Sequence, residues 1–241
     1  MAYRELLTRA PHIACLWIRD PEPTPQTTRI LPDACVDIVW TGDNLIVAGP
    51  ATAHAHSTIA PETRVVAVRF RVGAAGPALG LPAAELLNAS VPLAEIWGEE
   101  IVEAVGENPT LQTLAAAVQQ RLQGEPDRLV RAAAAGSEIG IGERQLRRRF
   151  QDAVGYGPKT LQRILRFQRF LALARRDPST PPDLARLALE AGYADQAHLT
   201  RECSRLAGLP PAALLASGAG PAGERSVSFK TAGPVAATLA A

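Results

Sequence analysis

The chain has 241 residues, 47% hydrophobic and 20% charged, with a net charge of +1; that length suffices for two modest domains, each with its own core. No apolar run reaches membrane-spanning length and no basic leader precedes an apolar segment, so neither a spanning helix nor a secretory leader is read here, and a cytoplasmic protein is expected. Cys15, Cys35 and Cys203 form no CxxC pair, which excludes a zinc ribbon and a thioredoxin-type redox site.

In chain order, the runs His12 to Ile18, Arg29 to Trp40, Leu45 to Ala48 and Arg64 to Val72 are β-branched or alternating, with Pro and Gly between them, and predict strands. In the last run Val66, Val68, Phe70 and Val72 share one face, while Arg69 and Arg71 share the other. Cys15 and Cys35 fall inside such runs and read as small packed thiols. A reactive Cys35 accepting an alkyl group is the minority reading. His54 and His56 would point the same way from a strand and, with Glu62, resemble the metal ligands of a cupin-like enzyme. The spacings fit that pattern poorly and no third His follows in the β region, so exposed strand histidines are expected, with no metal, no cofactor and no catalytic residue. Asp33 and Asp37 read as loop and edge carboxylates.

Helical patterns then start behind Pro residues, over Pro82 to Asn88 and Pro92 to Val105, and continue from Thr110 to Gln123. Gly124, Glu125 and Pro126 close this stretch and mark a boundary. The charge changes there. Residues 1–125 hold 8 Arg against 14 acidic residues, a net of −6, whereas residues 126–216 hold 15 Lys and Arg against 9 acidic residues, a net of +6. A basic module joined to an acidic one is a signature of nucleic-acid binding by the basic part, and the acidic part, which repels phosphate, is left to sense or to dimerise.

Within the basic part, GERQLRRRF from Gly142 to Phe150 pairs Leu146 with Phe150 on one helical face and turns Arg144 and Arg148 to the other, flanked by Gln145 and Arg147. The run Pro158 to Arg176 opens on Pro at a first helical position. It is apolar over more than half its circumference, as suits a helix clasped between two small lobes. A helix from about 182 to 190, a turn at Gly192 and a further helix capped by Asp195 form a helix-turn-helix pattern, with Leu184, Leu187 and Ala188 as the apolar face of its first helix. In the last helix Leu199, Cys203 and Leu206 form a buried stripe, Ala197 and Arg201 lie opposite, and His198, Thr200, Ser204 and Arg205 sit beside them. Guanidinium groups bond guanine O6 and N7, or phosphate, through two hydrogens, and Gln pairs with adenine, so both faces suit a duplex.

These residues resemble a known family. IGERQLRRRFQDAVGYGPKTLQRILRFQR and LALEAGYADQAHLTRECSRLAGLPPAAL are similar to the DNA-binding domain of the AraC/XylS transcription regulators, in which a long helix joins two helix-turn-helix units. The resemblance implies base-reading roles for Arg144, Gln145, Arg147 and Arg148 in the first unit, and for Gln196, Ala197, His198, Thr200 and Arg201 in the second. Two such helices could enter successive major grooves about 34 Å apart. Three departures stand out. The first unit has a shortened supporting helix, leaving Ala132 to Ile139 to do much of its packing; Gly142 replaces the usual capping Ser; and Cys203 and Ala207 replace bulky aromatics, which predicts a thinner core in the second lobe. LPDACVDIVW, VAGPATA, VVAVRFRVGAAGPALGLPAAEL and VPLAEIW resemble the N-terminal domain of an AraC-like subgroup whose ligand is not generally established.

The expected fold is therefore α+β. A β-rich sensor or dimerisation domain (1–125) precedes an all-α domain with two helix-turn-helix units (126–216), and a loose tail (217–241) follows, in which RSVSFKT could add an edge strand. The implied partners are double-stranded DNA, a small-molecule effector of unnamed identity, RNA polymerase and a second copy of the chain, with no membrane.

Overall fold

Residues 3–106, 109–176 and 181–217 are described by the computed structural model. They divide into two units, one drawn from residues 1–26, 35–50 and 59–158, the other from 27–34, 51–58 and 159–241. The strands in chain order are β1 (Tyr3–Leu7), β2 (Ile13–Arg19), β3 (Gln26–Ile30), β4 (Asp37–Trp40), β5 (Leu45–Ala48), β6 (Ala55–Ile59), β7 (Val65–Phe70) and β8 (Ser90–Pro92). Six of them form the antiparallel sheet β1-β2-β7-β4-β5-β8 of the first unit, and β3 pairs with β6 in a separate two-stranded ribbon. The β-rich half followed by a helical half is the α+β architecture expected.

The period of two decides the two faces of the large sheet. Ile38, Val47, Val66, Val68 and Phe70 lie on the face that packs against the helices α1 (Gly76–Leu79), α2 (Leu93–Trp97), α3 (Glu99–Val105) and α4 (Leu111–Arg121), through Leu79, Leu93, Trp97, Leu114 and Val118. Each side chain of this kind taken fully from water contributes about 1.5–3 kcal/mol.

The opposite face carries polar groups into the interior. Asp37 on β4 stands directly across from Arg69 on β7, and the two side chains, 8% and 3% exposed as residues, form a two-bond fork at 2.8 and 2.6 Å. The Trp17 indole N–H donates to the same carboxylate at 3.3 Å. Asp37 is thus a buried, paired carboxylate in a central strand rather than the edge group its sequence suggested; its ladder partners on both sides, β5 and β7, exclude an edge position.

Several elements differ from their sequence patterns. The run Arg29 to Trp40 is not one strand: β3 ends at Ile30, residues 31–36 form a loop holding Ala34 at φ 66°, and β4 belongs to a different sheet. Cys35 is accordingly a half-buried loop residue, while Cys15 in β2 is fully buried. Pro92 to Val105 breaks into α2 and α3 at Gly98, whose φ of 87° no helix interior accepts. Pro82 to Asn88 yields only a 3₁₀ turn, Ala83–Leu86.

The first unit continues through α5 (Arg128–Ala134) and α6 (Glu143–Val154). Val130, Phe150 and Val154 are their buried residues. The expectation that Ala132 to Ile139 carries the packing is corrected, since α5 stops at Ala134 and none of those eight residues is fully buried. In the second unit α7 (Pro158–Arg176), α8 (Leu184–Ala191), α9 (Gln196–Ala207) and α10 (Pro211–Ala216) join the β3–β6 ribbon. The tail island Arg225 to Thr231 lies outside the described residues.

Candidate nucleic-acid interface

Helix α6 begins at Glu143 behind Gly142, which supplies no side-chain cap, and ends at Gly155 in the left-handed conformation. Gly155 has φ 91°, and a Cβ there would stand 2.7 Å from the Pro50 ring and 3.0 Å from the Ala83 carbonyl, so the helix end sits close against the chain at a point only glycine tolerates. Phe150 and Val154 anchor the buried face, with Leu146 half-buried beside them, and Arg144, Gln145, Arg147 and Arg148 are all exposed.

Arg149, which the periodicity did not single out, is used internally. Its Nη1 reaches Asp127 Oδ2 at 2.6 Å, and Asp127 also accepts the Leu129 and Val130 N–H groups as the N-cap of α5. Burial works against ionisation of Asp127, but the Arg149 bond and the two backbone donors outweigh it and hold the carboxyl below its ordinary value. The available sequence signal was Asp127 itself, a good N-cap at the start of a short helix. Arg148 borders an open cleft of about 330 Å³ shared with Glu125, Asp127, Arg149 and Asp152.

Helix α9 is capped by Asp195, whose carboxylate accepts the His198 N–H at 2.6 Å. It follows α8 through Gly192, which takes φ 93° to make the turn. Leu199, Cys203, Leu206 and Ala207 are buried, and Gln196, Ala197 and Arg201 are exposed. The remaining two of the five residues proposed for this helix are partly occupied. The His198 ring lies edge-on to Tyr193 at 5.2 Å, and the Thr200 hydroxyl donates to the Gln196 carbonyl at 2.9 Å.

Glu202, on the flank of α9, receives a two-bond fork from Arg163 of α7 at 2.7 and 3.0 Å, tying the two helices. Burial alone would raise the Glu202 pKa, but Arg163, with Arg205 and His198 nearby, holds it below the ordinary value. Cys203 and Ala207 are both fully buried despite their small size, and burial pushes the Cys203 thiol up to about 12. The second lobe is therefore closed around these small side chains, and its thiol is packed, not reactive.

Of the competing candidate sites, His54 and His56 stand with ring centroids 5.6 Å apart. Among the described residues no three potential ligands gather about a metal position, so Glu62 does not complete a cupin-like set. No helix among the described residues is long and apolar enough to cross a membrane.

Comparison with known proteins fits this geometry. Residues 136–217 match the family model described as a helix-turn-helix domain, and residues 9–92 match a domain of unknown function, DUF6597. Together these two matches support an AraC-type regulator. A helix-turn-helix domain behind a β-rich N-terminal domain of unknown function supports DNA-binding transcription regulation. No curated protein matches the chain. Among solved structures it is similar to ToxT from Vibrio cholerae, with 8% identity and a TM-score of 0.36 over 89% of this chain and 98% of that one.

Proposed function

We propose that the regulator binds a specific duplex sequence through two reading helices, α6 and α9. In this reading Arg144, Gln145, Arg147 and Arg148 serve the first, and Gln196, Ala197, His198, Thr200 and Arg201 the second. The observation that carries the reading is the same division of labour in both helices: an apolar stripe turned into its own unit, and Arg and Gln side chains exposed on the other side. Arg148 and Arg201 are assigned the two-hydrogen contact to guanine or to phosphate, Gln145 and Gln196 the adenine-type contact, and Ala197 close approach to the bases. Residues 1–125 sense an effector or mediate self-association, and 126–216 act as the DNA-binding domain. RNA polymerase and a second copy of the chain are the protein partners this role implies.

In vitro selection from random duplexes with the full chain tests the proposal. One enriched asymmetric motif is expected if a single chain engages DNA with both helices, and a repeated motif if two copies bind. No enrichment would overturn it.

A further inference from the structure

The β3–β6 ribbon carries none of the proposed reading residues. It comes from the stretch matched by the domain of unknown function, yet it packs in the same unit as the second helix-turn-helix. Its strands are linked by the Thr27 and Thr58 hydroxyls at 3.0 Å. Just beyond β3, the Pro32 carbonyl accepts a hydrogen bond from the buried Gln168 amide of α7. The ribbon is thereby anchored to the long helix.

From that anchor it reaches the C-terminal end of α9. Arg29 on β3 donates from Nη1 to the Ala207 carbonyl at 2.8 Å. That carbonyl is among the last four of the helix, which have no partner along the helix itself, and a guanidinium there also meets the negative end of the helix dipole. His54, just ahead of β6, packs on the next residue. Gly208 has φ 72°, and a Cβ on it would lie 2.3 Å from His54 Cε1, so the ring occupies the space a side chain would need. The grip falls at the far end of α9 from Gln196 and Ala197, with Arg201 midway along the helix, and all three stay exposed. It supports the helix without covering its reading residues.

We propose that Arg29 is a positioning residue for base recognition: seated on the Ala207 carbonyl, with His54 packed against Gly208, it fixes the end of α9 so that the opposite end meets base edges in one orientation. This rests on α9 being a reading helix. Hydrogen bonds to base edges weaken steeply with angular error, so a helix held at one end only would lose discrimination before it lost affinity.

The test uses the full chain and a duplex obtained by selection, together with single base-pair variants of that duplex. Base pairs read by α9 are those at which Arg201→Ala relaxes preference. Arg29→Ala is expected to reduce discrimination at those base pairs by about threefold to tenfold, the range for loss of one charge-assisted contact at a helix end. Preference at other base pairs should hold, and amide exchange over residues 204–208 should speed up in the absence of DNA. Arg29→Lys, which keeps a cationic donor, should recover most of the loss, and His54→Ala should reproduce part of it. Parent-like discrimination and exchange in Arg29→Ala, with Arg201→Ala still effective, would overturn the role of Arg29 alone. An equal loss at every base pair would mark general destabilisation and overturn it as well. If Arg201→Ala changes no preference, the assignment of α9 fails and this inference falls with it.

Discussion

Replacing Arg69 with Met tests the buried polar face of the large sheet. Arg69 is 3% exposed and its guanidinium makes both hydrogen bonds of the fork to Asp37, at 2.8 and 2.6 Å. Met roughly preserves the apolar stem but donates nothing, so Asp37, 8% exposed, loses both bonds of the fork and keeps the weaker Trp17 indole donor at 3.3 Å. Removing one partner of a buried pair leaves an uncompensated charge and costs about 3–5 kcal/mol. Against a total stability of roughly 5–15 kcal/mol that loss is severe. Urea unfolding followed by tryptophan fluorescence is well suited, because Trp17, Trp40 and Trp97 all lie in the first unit and each is 6% exposed. The double variant Arg69→Met with Asp37→Leu should recover much of the loss, since it removes the orphaned charge. A loss below about 1 kcal/mol for the single variant, or no recovery in the double, would refute the account of a buried pair whose two halves need each other.

Arg148→Ala and Arg201→Ala should each weaken binding to a selected duplex by about 1–3 kcal/mol and relax preference at particular base pairs, measurable by competition titration. Affinity should also fall steeply with added salt as phosphate contacts release counterions, and a flat response in a salt series would count against DNA binding by the basic part. Gly208→Ala should destabilise the second unit by more than about 1 kcal/mol, because a positive φ and the His54 ring both oppose a Cβ; hydrogen exchange in α9 reads it out. The Asp127 pKa is lowered in the folded state from its ordinary 3.8. Its contribution is therefore present above that ordinary value and is lost as pH falls through the depressed one. Asp127→Asn keeps a competent N-cap but loses the Arg149 ion pair, so acid titrations of stability should show a shallower fall for the variant than for the parent.

The sequence made the helical half legible because its signals are local. A Pro at the first position of α7, Asp195 at the cap of α9, Gly192 at the turn and an apolar stripe of period 3.6 each act within a few residues, and the structure has them in those roles. The exposed and buried faces of α6 and α9 follow from the same periodicity. Strand content was legible in part: β2, β5 and β7 stand out by β-branched residues. By contrast β1, β6 and β8 do not, because Tyr3–Leu7, Ala55–Ile59 and Ser90–Pro92 are strands through pairing with neighbours rather than through propensity.

What the sequence by itself determined is the class of protein: a β-rich, acidic N-terminal part and a basic helical part that holds a helix-turn-helix domain. What only the tertiary structure decided is which polar residues are spent on the fold. Asp37 becomes a buried partner of Arg69, Arg149 locks onto Asp127, Arg163 onto Glu202, and Arg29 closes the end of α9 from 178 residues away. Guanidinium groups on a helix or strand look alike in one dimension. Whether each faces a carboxylate, a carbonyl or water depends on residues far off in the chain, brought near only when the apolar faces have packed.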